Sequence, residues 1–102
     1  MDIQYKISNE TLKILLVGEL DEYTANYARE ILDDLFSNNV FQQVVIDLKG
    51  LEFMDSTGIG VLIGRYKKIR DRQKPIYIMN PNKHVEKIFK MSGLFEIMPM
   101  IS

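Results

Sequence analysis

Three short apolar runs, each separated from the next by a helix-length amphipathic stretch, constrain this chain more than any other feature. The runs are Leu12–Val17, Val44–Leu48 and Ile76–Met79. Leu12–Val17 is apolar on both faces from Ile14 onward, and Val44–Leu48 is interrupted only by Asp47. Runs of this length and near-continuity suit interior strands covered on both faces. A strand that is followed by a helix and then another strand implies a parallel neighbour and a right-handed crossover. Ahead of these, Ile3, Tyr5 and Ile7 alternate with polar residues, which is the half-buried strand pattern, and Ser8-Asn9-Glu10 is turn chemistry. The expected order is therefore strand, strand, helix, strand, helix, strand, helix. This is an α/β fold: a mixed, mostly parallel sheet of about four to five strands with an N-terminal antiparallel hairpin and about four helices.

Local signals set the expected boundaries. Gly18-Glu19-Leu20-Asp21 ends the second strand, and a helix follows to about Phe36. Its inner stripe is Thr24, Ala28, Ile31, Leu32 and Leu35, with Arg29, Glu30, Asp33 and Asp34 mostly outside it. Asp21 and Thr24 are both candidate caps, and Ser37-Asn38-Asn39 stops the helix. Lys49-Gly50 breaks the third strand, and Pro75 opens the fourth. Asn80 as cap and Pro81 at the first helical position start the last long helix, whose inner stripe is Val85, Ile88, Phe89 and Ser92. Gly93 suits the residue just past its end, with Leu94 making the apolar contact that follows. Leu94–Met100 forms a final short helix or strand.

With 102 residues the chain makes one domain, residues 1–102, with no linker or internal repeat. Thirteen Lys plus Arg against fourteen Asp plus Glu argue against nucleic acid as a partner. No cysteine is available for a disulfide or a thiolate metal site. The absence of a signal pattern or long apolar run gives the expectation of a soluble, cytoplasmic protein with no membrane partner. A small, charge-balanced domain sets the expectation of a monomer.

The helix that follows the third strand is unusual. Met54-Asp55-Ser56-Thr57-Gly58-Ile59-Gly60-Val61-Leu62-Ile63-Gly64-Arg65-Tyr66-Lys67 opens with a hydroxyl residue and carries three glycines, each costing roughly 1 kcal/mol against alanine in a helix interior. Ile59, Leu62, Ile63, Tyr66 and Ile69 or Arg70 form its expected core stripe. Gly60, Gly64 and Lys67 or Lys68 fall on a second face, bare until the lysines. In a parallel sheet the ends of strands two, three and four share one rim, where open α/β sheets place their sites. That rim gathers Asp21, Asp55-Ser56-Thr57 and Asn80.

Several chemistries fit such a rim to different degrees. Gly58, Gly60 and Gly64 read G-x-G-x-x-x-G, one residue longer than the dinucleotide fingerprint, and Asn80 stands where an acidic ribose ligand is expected. No Walker A loop exists. A hydrolase would need Ser56, the single histidine His84 and Asp21 or Asp55 in triad geometry, but the G-x-S-x-G elbow is missing and His84 reads as a surface residue. Asp21, Asp47 and Asp55 form no motif with metal-ligand spacing, and no cofactor is expected. The remaining reading is a switch: a hydroxyl at a helix N-terminus tolerates an anion, so phosphorylation of Ser56 would add charge at an interface without refolding. Ser56 as a simple N-cap is the plain alternative.

The Met54–Lys67 stretch resembles the signature of the anti-sigma factor antagonists, members of the STAS domain family. Gly18-Glu19-Leu20-Asp21, Thr24-Ala25 and Met91-Ser92-Gly93-Leu94-Phe95 match the same family in order, so the resemblance spans essentially the whole chain. The Gly-Arg-Tyr-Lys continuation and the Met-Ser-Gly-Leu-Phe segment are more similar to the sporulation antagonists of anti-sigma-F than to the general-stress branch. The resemblance implies partner switching. The unphosphorylated antagonist binds an anti-sigma factor that is itself a serine kinase, in its ATP- or ADP-bound form, and frees the sigma factor. The kinase phosphorylates the serine after the motif aspartate, here Ser56, and a metal-dependent serine phosphatase resets it. The domain would be a substrate and binding module, not an enzyme. Asp21, Asp55, Thr57, Gly58 and Gly60 would border the kinase contact, with Gly64 and Lys68 farther along the same surface. Thr57, where sporulation relatives often carry a second serine, is a candidate minor acceptor. A STAS scaffold that is not phosphorylated is the alternative.

Overall fold

The computed structural model describes residues 1–101. Four strands and four helices follow one another: β1 (Asp2–Ser8), β2 (Thr11–Leu20), α1 (Ala25–Asn38), β3 (Gln43–Met54), α2 (Ser56–Arg70), β4 (Ile76–Met79), α3 (Lys83–Ser92) and α4 (Leu94–Ile97). The sheet order is β1-β2-β3-β4. β1 runs antiparallel to β2, and the other pairs are parallel. The hairpin turn is Asn9-Glu10, both residues in the left-handed region at φ 52° and 64°, the backbone a two-residue hairpin loop requires.

The core lies on one face of the sheet. Leu12, Ile14 and Leu16 of β2, Val44, Ile46 and Leu48 of β3, and Ile76 and Ile78 of β4 pack with apolar residues of all four helices. The registers Lys13↔Val45↔Tyr77 and Leu15↔Asp47↔Met79 put the alternate residues on the opposite face, outside that core. The expectation of interior strands sandwiched on both faces is thus corrected to a two-layer arrangement. Val45 and Asp47 are nevertheless buried. Asp47 accepts from the Lys49 N–H at 3.0 Å and from Asn80 Nδ2 at 3.1 Å, with Lys13 Nζ 3.9 Å away.

The structure also moves several boundaries. β2 continues through Gly18 to Leu20, and β3 continues through Lys49-Gly50 to Met54, so neither glycine ends a strand. The β2–β3 register shifts between Leu15 and Val17. A Cβ on Gly50 would lie 3.0 Å from a Val17 methyl and 3.2 Å from the Leu16 carbonyl. That glycine permits a bulge and a close approach rather than a break. β1 is less covered than its alternation suggests, with Tyr5 53 % and Ile7 42 % exposed, because it is the sheet edge and has one neighbouring strand. At the start of α1 Thr24 holds the cap position but its side chain caps no helical N–H; it and Asp21 instead tie the turn that precedes the helix. The Asp21 carboxylate accepts from the Tyr23 and Thr24 N–H groups, and Thr24 Oγ1 donates to the Glu19 carbonyl at 2.9 Å. α3 starts at Lys83, with Asn82 as its cap accepting from the Val85 N–H at 2.8 Å. Asn80 is not the cap, since it sits at φ 56° and its amide serves Asp47. Gly93 does end α3, at φ 76°. Ser92, expected on the inner stripe, is exposed.

The largest departure is the rotation of α2. Its buried residues are Gly58, Val61, Leu62, Arg65 and Ile69, whereas Ile59, Ile63 and Tyr66 are only partly buried. Arg65, 7 % exposed, occupies the middle of the inner face. Its Nε stands 2.9 Å from Asp33 Oδ1 on α1, and Lys68 Nζ lies 2.8 Å from the other oxygen. Burial pushes the Arg65 guanidinium below the ordinary arginine range; Asp33 raises it again, and Arg29 lowers it. A buried arginine holds its position only while its counter-charge remains. Asp33→Ala is therefore expected to lower stability by roughly 3 kcal/mol, and Lys68→Ala, half exposed, by less than ~1 kcal/mol. Urea denaturation measures both, and equal losses would contradict a buried pair that fixes α2.

Candidate functional site

The site is built where β2 and β3 end together. Leu20 pairs with Met54, and the Asp55 N–H donates to the Leu20 carbonyl at 3.3 Å. The chain then diverges, β2 into the Asp21 turn and β3 into α2. Asp21 and Asp55 thus become neighbours from positions 34 residues apart in sequence.

Asp55 caps α2. Its Oδ1 accepts from the Gly58 N–H at 3.1 Å, and its carbonyl accepts from the Ile59 N–H. Ser56 is therefore the first helical residue rather than the cap, which corrects the plain alternative. Its side chain is exposed and forms no hydrogen bond among the described residues. The hydroxyl is free because the aspartate has taken over the capping that a serine in this place usually provides. Thr57 beside it is half-buried.

The three glycines separate into two roles. A Cβ on Gly58 would meet the Leu20 carbonyl oxygen at 2.5 Å and Met54 Cγ at 2.6 Å, so only glycine lets α2 seat against the paired strand ends. At Gly60 and Gly64 a Cβ would meet nothing within 4 Å. Those two are not required by packing. At 100° per residue, Gly60 follows Ser56 on one side of the helix and Gly64 continues that face.

Beside Ser56 runs a shallow groove of about 290 Å³ between α2 and α3, lined by Asp55, Ser56, Ile59, Ile88, Met91 and Ser92. Met91 is 77 % exposed on its rim. Sequence periodicity assigned Ile88 and Ser92 to the core and gave Met91 no role. The available signal is that Met91-Ser92 opens the Met91–Phe95 segment that carries part of the family resemblance.

Not every rim residue comes together. β4 ends opposite Asp47, seven residues before the end of β3, so Asn80 lies on the order of 20 Å down the strand from Met54. Asp47 is likewise remote from Asp21 and Asp55, and the three do not gather. Lys68 is twelve residues from Ser56, about 18 Å along the helix, and is engaged with Asp33. His84 stacks on Phe53 with centroids 5.2 Å apart, and among the described residues no hydrogen bond joins it to Ser56. The geometry presents a free hydroxyl beside a bare helical face, not a nucleophile with a base. No helix among the described residues is long and apolar enough to cross a membrane.

Over residues 2–102 the sequence matches the STAS domain family, and the chain belongs to that family. It is 36 % identical to the anti-sigma F factor antagonist of Paenibacillus polymyxa, across 98 % of this chain and 87 % of that protein. It is 26 % identical to the anti-sigma-B factor antagonist of Staphylococcus aureus, across 96 % and 90 %. Among solved structures it resembles the anti-sigma factor antagonist SpoIIAA in its unphosphorylated form, with a TM-score of 0.82 and 27 % identity over 99 % of this chain and 89 % of that one. The phosphorylated form of the Bacillus cell fate determinant SpoIIAA matches with a TM-score of 0.74 and 26 % identity, over 99 % and 92 %.

The glycine geometry gives a direct test. Gly58→Ala is expected to cost on the order of 2 kcal/mol or more, while Gly60→Ala and Gly64→Ala each raise stability by up to about 1 kcal/mol. Denaturant midpoints decide it, and three changes of one sign would contradict the division.

Proposed function

We propose that this STAS domain is an anti-sigma factor antagonist whose affinity for an anti-sigma factor serine kinase is set by the charge on Ser56. The observation that carries the reading is the exposed, unbonded Ser56 hydroxyl, first in an Asp55-capped helix and flanked by the bare Gly60–Gly64 face and the Ile59–Ile88–Met91 groove. The relatives named anti-sigma F and anti-sigma-B factor antagonists support it.

In the unphosphorylated state the partner lies over this surface. Gly60 and Gly64 admit its backbone closely, and the groove takes an apolar side chain. Asp21, Asp55 and Thr57 border the contact; Lys68 reaches it only if the partner extends three turns along α2. The kinase then transfers the γ-phosphoryl group of ATP to Ser56 Oγ, with loss of the hydroxyl proton and departure of ADP. Thr57, half-buried, is the poorer acceptor.

The phosphate adds about −1.5 to −2 charge at neutral pH. The N-terminus of α2 accommodates it, since free N–H groups and the helix dipole favour an anion there. The complex does not, because the phosphate must be desolvated beside Asp21 and Asp55. A 100-fold loss of affinity needs only about 2.7 kcal/mol, within reach of one charge at an interface. A serine phosphatase restores the binding form. This cycle needs ATP and a sigma factor's inhibitor, which belongs in the cytoplasm, and the domain acts in it as substrate and ligand rather than catalyst.

Ser56→Ala is expected to bind the cognate anti-sigma kinase and to incorporate no phosphate, as read by titration calorimetry and mass spectrometry. Ser56→Asp is expected to bind about 100-fold more weakly. Phosphate still incorporated into the alanine variant would move the acceptor to Thr57 or elsewhere, and equal affinity of the two variants would overturn the electrostatic switch.

A further inference from the structure

β1 is a free sheet edge with a self-complementary sequence. Its hairpin closes through the two-residue turn Asn9-Glu10, with Ser8 opposite Thr11. Such a turn closes on a pair that exchanges both backbone hydrogen bonds, and bonding then alternates along the strand. Ser8, Lys6, Gln4 and Asp2 therefore bond to β2. The N–H and C=O groups of Ile3, Tyr5 and Ile7 point away from it, toward the open edge. The side chains divide by the same parity. Ile3, Tyr5 and Ile7 align with Leu16, Ile14 and Leu12 on the core side, yet Tyr5 and Ile7 remain 53 % and 42 % exposed. Asp2, Gln4 and Lys6 stand on the opposite face.

We propose that two copies of this chain pair antiparallel through β1, about a two-fold axis at Gln4, to form one continuous eight-stranded sheet. In this register the outward backbone groups of Ile3 in one copy meet those of Tyr5 in the other, twice. On the core side the Ile3 and Tyr5 side chains lie directly opposite each other, also twice. On the other face Asp2 of each copy lies opposite Lys6 of its partner, giving two cross-strand charge pairs. Of the two neighbouring registers of the same parity, the one centred on Tyr5 places Asp2 against Ser8 and Lys6 against Gln4, and the one centred on Ile3 places Asp2 against Gln4, so neither pairs Asp2 with Lys6. Charge complementarity thus selects one register and one partner, a second copy. A lone edge lysine ordinarily discourages strand addition, but here Lys6 meets a carboxylate. On this proposal the chain is a concentration-dependent dimer rather than the monomer expected from size and charge balance. β2 separates β1 from β3, so the pairing edge is about 10 Å from the strand that leads into Ser56, and each dimer presents two acceptor rims.

Sedimentation equilibrium of the full chain from about 10 μM to about 1 mM, with charge-swapped variants, tests this. Lys6→Glu alone and Asp2→Lys alone are each expected to raise the dimer dissociation constant about tenfold or more. The two together restore opposite charges in the same register and should return it to within about threefold of the parent. Tyr5→Pro removes an edge-facing N–H that β2 does not use, so it should abolish the dimer while leaving the circular dichroism spectrum unchanged. A parent chain that stays monomeric throughout the range overturns the proposal. So does a dimer insensitive to all four changes, or single reversals that the double variant does not rescue. None of these outcomes bears on whether Ser56 is phosphorylated.

Discussion

The candidate site depends on the joint termination of β2 and β3. Leu20 and Met54 are paired, the Leu20 carbonyl takes the Asp55 N–H, and Gly58 sits against both residues with no room for a Cβ. One carbonyl thus ends the parallel ladder and forms the seat for the next helix. Remove the glycine and α2 must lift, carrying Ser56 with it. The Asp55 cap works on the same few atoms, satisfying the Gly58 N–H while leaving the serine hydroxyl unbonded. Rigid presentation of a free hydroxyl follows from packing rather than from any bond to the hydroxyl itself.

The other end of α2 is fixed by charge. Arg65 faces inward, against the usual rule that arginine stays at the surface, and Asp33 answers it from α1. With its stretch of glycines and partly apolar outer face, α2 has no strong amphipathic stripe of its own to set its rotation. The buried pair supplies that orientation, turning Gly60 and Gly64 outward and leaving Ile59 at the groove with Ile88 and Met91. The two anchors have different character, one steric and one electrostatic, and between them the helix has little freedom to respond to a modification at its N-terminus.

Much of the fold was legible because it rests on local pattern: hairpin chemistry at Asn9-Glu10, apolar runs for β2 to β4, and Gly93 closing α3. What was not legible depends on tertiary context. Gly18 and Gly50 read as breaks, since a strand bulge and a strand end share the same composition. Asn80-Pro81 reads as a cap and first turn, but the Asn80 amide is drawn to Asp47 on the neighbouring strand and Asn82 caps instead. The α2 stripe was misplaced by nearly a quarter turn because periodicity counts Ile59, Ile63 and Tyr66 as core and cannot foresee a buried Arg65. Of the site, Ser56, Asp55 and Asp21 were placed by strand order alone. The division of labour among Gly58, Gly60 and Gly64 needed the distances, and the part of α3 in the groove needed the packing of two helices that the sequence leaves apart.

The proposed switch at Ser56 changes surface charge and leaves the fold unchanged. Two-dimensional amide spectra of the chain before and after stoichiometric phosphorylation of Ser56 test it most directly. Shifts confined to the first turn of α2, the Asp21 turn and the α3 groove residues, with the remaining resonances unmoved, are expected. Shifts that spread through the β2–β3 ladder or the Arg65–Asp33 contact would contradict it, since the phosphate would then act by rearranging the domain.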